Sequence, residues 1–154
     1  AGEVYCSGNT LMNGYRFSDN DAFYLDDKKV LWVKTGDMGY LDSDGYLFFK
    51  QRLKRIIKVS GITVFPTEIE YHLTDLPFIF KAVAKGVPDL KRGSMVKLFV
   101  ILTKDKSLIP NNYEEIIRKT IKDNNGVYAE PREIVYMESF PETVVGKVDT
   151  NKLN

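Results

Sequence analysis

The sequence predicts an α+β fold in which a β-rich first part precedes a small domain with a mainly antiparallel sheet flanked by helices. Short segments rich in β-branched and aromatic residues recur along the chain, and two later segments carry the signals of helices. A third observation is a change after Gln51, where strand-like composition gives way to a basic run. We therefore place a boundary near Lys54, between residues 1–53 and residues 54–154.

Three strands are predicted in the first part, at residues 3–7, 30–34 and 46–50. The turn chemistry of residues 42–45, which end in Asp44-Gly45, joins the last of these to the chain before it as a hairpin. Thr35-Gly36-Asp37 follows residues 30–34 and is expected at the end of that strand.

The second part alternates strands and helices. Pro66 and the capping-box spacing of Thr67 and Glu70 predict a helix that runs to about Leu73. Composition and apolar periodicity then predict strands at 81–87, 95–102 and 134–136, the first two paired, and an amphipathic helix at 113–122.

Composition narrows the classes of function. The chain of 154 residues has 22 Lys and Arg against 21 Asp and Glu, so it has no general attraction for nucleic acids or anionic membranes. It has no run of the roughly 20 apolar residues that a membrane span requires. The single cysteine, Cys6, excludes an internal disulfide and favours a reducing cytoplasm, and the single histidine, His72, argues against a metal site. A start on a strand, without Met, leads us to expect a piece of a longer protein.

Two residues of the first part suggest nucleotide chemistry. The Asp37 carboxylate can accept hydrogen bonds from the diol of a ribose, and Gly36 allows close approach of the backbone. Arg52 lies across the predicted hairpin, which brings it to the same edge, and its guanidinium suits a sugar or a phosphate. A turn-forming Asp and a surface Arg explain the same residues taken singly.

Three further candidates lie in the second part. On a strand, Lys54 and Lys58 would share a basic face with Arg52. Val59-Ser60-Gly61 could bring a backbone against a phosphate or an amide, and Lys147 follows a flexible glycine, from which it can reach a carboxylate or phosphate oxygen. Each has an ordinary structural explanation when it is considered alone.

The order of these segments along the chain indicates a family more specifically than any one of them does alone. They are GEVY at 2–5 with MNGY at 12–15, WVKTGDMGY at 32–40, residues 52–70 ending in PTEIE, and PETVVGK at 141–147. Together they resemble the adenylate-forming superfamily, which includes acyl-CoA synthetases, firefly luciferase and the adenylation domains of nonribosomal peptide synthetases. The likeness is greatest to an AMP-forming acyl-CoA synthetase.

The resemblance implies an enzyme that activates a carboxylic acid with ATP and Mg²⁺ and then transfers the acyl group to CoA. Residues 1–53 would be the end of the large AMP-binding domain, and 54–154 the small mobile C-terminal domain. The implied roles are nucleotide binding for Asp37 and Arg52, a hinge at Lys54, catalysis of adenylation by Lys147, and thioester formation on a face with Lys58, Val59, Ser60 and Gly61. No metal ligand is expected in the chain.

This sequence departs from the family pattern at Gln51, usually Gly, and at Thr63 and Thr150, often Arg. The Ser/Thr/Gly-rich phosphate loop and the aromatic-Gly-x-Thr-Glu segment are missing, so we expect the chain alone to be inactive and to retain no cofactor. Its exposed strands are expected to allow self-association. Two alternatives stay open: an enzyme that loads a phosphopantetheine carrier protein, and a non-enzymatic phosphate-binding module that uses the basic run from Arg52 to Lys58.

Overall fold

A computed structural model of the protein describes residues 1–16 and 20–154. The chain divides into two compact units, Ala1–Lys54 and Arg55–Asn154. Each is a layer of strands, and helices longer than one 3₁₀ turn occur, among the described residues, only in the second unit. The α+β class predicted from the sequence is confirmed.

The first unit is a four-stranded antiparallel sheet built around one long strand. Its strands are β1 (Gly2–Cys6), β2 (Phe23–Leu25), β3 (Leu31–Leu41) and β4 (Leu47–Arg52). β3 pairs with β1 along one edge and with β2 and then β4 along the other. The predicted hairpin is confirmed: Asp42 Oδ1 accepts hydrogen bonds from the backbone N–H of Asp44 at 3.0 Å and of Tyr46 at 2.8 Å, and Gly45 has a φ of +85°.

One expectation in this unit is wrong. Thr35-Gly36-Asp37 lies inside β3 and not at the end of a strand. The pairing with β1 shifts register here, between Glu3 and Tyr5, and Gly36 takes a φ of +71°. The segment is therefore a bulge, a conformation that glycine tolerates. Because glycine has a low strand propensity, the sequence indicated the end of a strand here.

The second unit packs two helices against a five-stranded sheet. Its elements are β5 (Ile57–Val59), β6 (Ile62–Val64), α1 (Pro66–Leu73), β7 (Ile79–Asp89), β8 (Gly93–Leu102), α2 (Tyr113–Asn125) and β9 (Glu133–Tyr136), with 3₁₀ turns at Leu53–Arg55, Lys106–Leu108 and Thr150–Lys152. The strand order is β6-β5-β8-β7, all antiparallel, and β9 pairs in parallel with β8.

Alternate residues of the central strands supply two apolar cores. On one face Leu98 and Val100 pack with the buried side chains of α1 and α2. On the other face Phe99 and Val83 pack with Phe140 and Leu153 from the C-terminal segment. Side chains that alternate across a strand thus bind the helices on one side and the last residues of the chain on the other.

Two local expectations in the second unit are wrong. The capping box does not form, because Phe65 is the N-cap residue of α1 and Pro66 is the first helical residue, while the Glu70 carboxylate turns to Arg55 and the N–H of Ala84. The basic face does not run through the boundary either, since the 3₁₀ turn at Leu53–Arg55 interrupts the strand alternation on which it depended.

Candidate functional site

Asp37 and Arg52 face each other across the β3–β4 pair. Arg52 Nε lies 2.8 Å from Asp37 Oδ1 in an ion pair, and Arg52 Nη1 donates to the carbonyl of Thr35 at 3.2 Å. The Asp37 side chain is half-buried and that of Arg52 is exposed. The contact uses one carboxylate oxygen of the two, so the pair offers a ligand both a carboxylate edge and a guanidinium.

Thr35 supports the segment that carries Asp37, a role that the sequence did not indicate. Its hydroxyl accepts a hydrogen bond from the Asp37 backbone N–H at 3.0 Å and donates to the carbonyl of Val4 at 2.8 Å. Glu3 accepts from the N–H of Gly36 at 3.2 Å. The bulge that carries Asp37 is therefore fixed by side chains from β1 and β3, contacts that only strand pairing could reveal.

Lys58, Ser60 and Gly61 lie on one hairpin, formed by β5 and β6. Ser60 and Gly61 are its turn, with φ values of +51° and +82°, and the Ser60 N–H donates to the carbonyl of Arg92 at 2.8 Å. Lys58 is exposed and its ammonium donates to the hydroxyl of Thr63 opposite. Val59 as a whole is buried, at 1% exposure, and pairs with Ile62 on one side and Gly93 on the other, so the exposed positions of the hairpin are Lys58, Ser60 and Gly61.

Lys54 occupies the middle of the 3₁₀ turn at Leu53–Arg55 and is exposed. It is also the last residue of the first compact unit. A cation is thus carried on the short irregular segment where the two units join along the chain.

Lys147 is exposed on a tight turn near the end of the chain. Thr143 and Lys147 lie on its two sides, Glu142 and Val148 form a bridge beyond them, and Gly146 takes a φ of +74°. Phe140, just before the turn, is buried and packs against the sheet.

The chain after Lys147 is also held to the sheet. Leu153 is buried, and the ammonium of Lys85 on β7 donates to its carbonyl at 2.6 Å. Val148 packs against the same core. The exposed Lys147 side chain therefore rises from a segment that is anchored before and after it.

A second cluster that sequence reasoning missed surrounds Glu70. Its carboxylate pairs with Arg55 and accepts from the N–H of Ala84 at 3.0 Å, while Arg55 also reaches the Ala84 carbonyl at 3.4 Å. Burial raises the pKa of Glu70, and the Arg55 charge opposes that rise. The pair binds the N–H and the carbonyl of Ala84 on β7. The sequence had instead assigned Glu70 to a capping box.

Residues 1–16 and 20–154 contain neither a cluster of metal ligands nor a helix that could span a membrane. No group of three or more His, Cys, Asp or Glu side chains there could hold a metal ion. No helix in residues 1–16 and 20–154 is long and apolar enough to cross a bilayer.

Comparison with known proteins gives matches along the whole chain. Residues 68–147 match the family model for the AMP-binding enzyme C-terminal domain. The long-chain-fatty-acid–CoA ligase of Bacillus subtilis is 33% identical over 99% of the chain, which spans only 26% of that relative's length.

Solved structures agree with this match. The o-succinylbenzoate CoA synthetase of Bacillus subtilis, solved with its acyl-adenylate intermediate, has a TM-score of 0.80 and 28% identity over 99% of the chain and 30% of its own. The amide bond synthetase of Marinactinospora thermotolerans has a TM-score of 0.78 and 30% identity over the same shares.

Proposed function

Because this chain belongs to the AMP-binding enzyme C-terminal domain family, we propose that it is the C-terminal portion of an ATP-dependent, AMP-forming acid–CoA ligase. The observation that carries the proposal is the family match, which ends at Lys147, the exposed lysine of the anchored turn. Residues 1–53 would close the large nucleotide-binding domain, and residues 54–154 would form the mobile small domain with its hinge at Lys54.

Lys147 would serve the first half-reaction. A carboxylate oxygen of the acid attacks the α-phosphorus of ATP, a new P–O bond forms, and the bond to the departing pyrophosphate breaks. The Lys147 ammonium would donate hydrogen bonds to the carboxylate and α-phosphate oxygens, where negative charge is concentrated. Such contacts are worth far more in a closed site than in water, so an exposed lysine gains its effect only when it enters one.

The β5–β6 hairpin would serve the second half-reaction. The sulfur of the thiol attacks the acyl carbon, the bond from that carbon to the AMP oxygen breaks, and the thiol proton is released. Lys58 supplies a positive charge beside the open backbone of Ser60 and Gly61. Rotation of the small domain about Lys54 would exchange the Lys147 turn for this hairpin.

Asp37 and Arg52 would bind the nucleotide through both steps, the carboxylate at the ribose hydroxyls and the guanidinium at the sugar or phosphate. No group of three or more His, Cys, Asp or Glu side chains among the described residues could hold a metal ion, and the proposal gives these residues no role in holding Mg²⁺. The substrates are a carboxylic acid, ATP and CoA, and we place the protein in the cytoplasm.

The molecule that accepts the acyl group from the adenylate has alternatives to CoA. One structure of similar fold is named as an amide bond synthetase, so the acceptor in proteins of this fold need not be a thiol. Thr63, in contact with Lys58, stands where an arginine near the CoA phosphates is common. A phosphopantetheine arm on a carrier protein is the alternative acceptor, and a pull-down with carrier protein in competition with CoA separates the two.

A lysine substitution tests the division of labour. In the complete polypeptide, Lys147→Ala should lower the rate of adenylate formation by about 100-fold, because one charge-stabilising donor is lost. Thioester formation from a supplied acyl-adenylate should stay within about twofold of the unsubstituted protein, since Lys147 has no part in that step. Both rates are measured in single turnover.

Lys152→Ala, in the same segment, is the matched control and should leave both steps unchanged. The isolated chain should show no exchange of pyrophosphate into ATP, because the acid pocket and phosphate loop lie outside it. Equal loss of both half-reactions in Lys147→Ala would reject the two-face mechanism. Binding of RNA with a steep salt dependence, with no binding of CoA, would favour the phosphate-binding module instead.

A further inference from the structure

Thr143 makes contacts that bear directly on the backbone of Lys147. Its N–H donates to the Lys147 carbonyl at 2.7 Å, and its hydroxyl oxygen accepts from the Lys147 N–H at 3.2 Å. Both residues lie in the second compact unit. The two backbone groups that flank the Cα of Lys147 are thus bound by one residue.

The Thr143 carbonyl bonds a different residue of the turn, and the Lys147 N–H bonds the Thr143 hydroxyl. In a hydrogen-bonded antiparallel pair the two residues exchange N–H and carbonyl bonds twice. Here the Thr143 carbonyl accepts from the Gly146 N–H at 2.9 Å, which tightens the turn. The side chain of Thr143 thus supplies the acceptor that the Lys147 N–H uses, and the Thr143 backbone bonds Gly146 and the Lys147 carbonyl.

This arrangement fixes the direction in which the Lys147 side chain leaves the backbone. Phe140 and Val148 hold the base of the turn on the sheet, but neither contacts the backbone N–H of Lys147, which goes to Thr143. A long, exposed side chain keeps its own rotamer freedom, so the geometry of its Cα sets where the ammonium can reach. Small errors in such placement cost rate out of proportion to their size.

We propose that Thr143 is a positioning residue for Lys147 and acts through its hydroxyl oxygen in adenylate formation. The inference rests on the proposed function, because it assumes that Lys147 serves that step. A valine at position 143 keeps the size and β-branching of threonine but has no acceptor. A serine keeps the acceptor and loses the methyl group.

Two measurements test the proposal. In the polypeptide of residues 1–154, hydrogen exchange of the Lys147 amide should be faster in Thr143→Val than in the unsubstituted chain. It should stay near its original rate in Thr143→Ser and in Val144→Thr, a control at the exposed tip of the turn. In the complete polypeptide, Thr143→Val should lower kcat for adenylate formation about tenfold with little change in KM, and thioester formation from supplied acyl-adenylate should hold. Thr143→Ser should restore the rate.

The outcomes separate this inference from the proposed function. If Lys147→Ala slows adenylate formation but Thr143→Val does not, the positioning role is wrong and the ligase proposal stands. Equal defects in the Ser and Val variants would also overturn it, because the acceptor would then be irrelevant. If Lys147→Ala leaves adenylation intact, the proposed function fails first. Near-ultraviolet circular dichroism of each variant shows whether the fold is retained, and amide exchange reports the contact in either case.

Discussion

Glu70 is a carboxylate subject to two opposing electrostatic effects. Burial disfavours its ionised form, whereas Arg55 beside it favours that form, and the net effect is a pKa above the ordinary value. The folded state therefore holds the Glu70 proton more tightly than the unfolded chain does. Stability contributed by this group is complete below the unfolded pKa of about 4.5 and is lost as the pH rises through the folded pKa.

Glu70→Gln removes this titration and keeps an oxygen that can accept from the Ala84 N–H. We expect the free energy of unfolding of the unsubstituted chain, relative to Glu70→Gln, to fall as the pH rises from about 4 to about 7. Urea unfolding at a series of pH values measures it. Glu115→Gln on α2 controls for the loss of one negative charge. A difference that grows with pH would mean that the ion pair with Arg55 outweighs burial.

For single residues, the sequence predicted contacts within a hairpin better than contacts between packed elements. Asp37 and Arg52 were expected to meet because a hairpin register is set locally, and the structure brings them to 2.8 Å. The partner of Glu70 could not be read in the same way, because Arg55 and Ala84 approach it only after β7 and α1 pack together. Their functional roles, with those of Lys54, Lys58 and Lys147, stay predictions.

The helix α2 shows how an apolar stripe becomes a packed element. Ile117 and Ile121 are fully buried against the core, whereas Lys119 and Lys122 face solvent. Glu114 and Arg118 form an ion pair one turn apart at 2.9 Å on the exposed side. The helix ends where Gly126 takes a φ of +83° and donates to the Lys122 carbonyl.

Ile121→Ala should lower the free energy of unfolding by about 2–5 kcal/mol, because it removes buried methyl groups and leaves a cavity between α2 and the sheet. Chemical denaturation with unchanged m-value measures the loss. Lys122→Ala, the next residue and exposed, should change stability by less than about 0.5 kcal/mol. Similar effects for the two variants would contradict the assigned face of the helix.

For the whole molecule, burial is divided unevenly between the two units. Among the described residues, every buried hydrophobic side chain lies in Arg55–Asn154. Ala1–Lys54 instead exposes large apolar side chains, including Leu41, Tyr46 and Phe49. Since apolar burial is the main stabilising contribution to a fold, the second unit has the means to fold alone and the first does not.

We expect residues 55–154, produced without the first unit, to unfold cooperatively with a midpoint within about 4 °C of the full chain, a shift worth less than about 1 kcal/mol. The full chain should also associate more strongly than residues 55–154, because exposed apolar strands favour contact between copies. Thermal unfolding and sedimentation velocity measure the two effects. Failure of residues 55–154 to fold would show that the first unit contributes to the core. If the full chain and residues 55–154 associated equally, the surface that drives association would lie outside the first unit.

The sequence by itself determined what depends on neighbours along the chain: the Asp-Gly hairpin, the two helices, the pairing of the two long strands and the order of the family motifs. Turn chemistry and apolar periodicity act over a few residues, so they can be read in one dimension. Only the tertiary structure decided that Asp37 lies in a bulge, that Glu70 binds the backbone of β7 at Ala84 instead of forming a capping box, and that Phe140 and Leu153 anchor the Lys147 turn. Those arrangements depend on which faces pack together, and a packed face is chosen by shape and burial over the whole core.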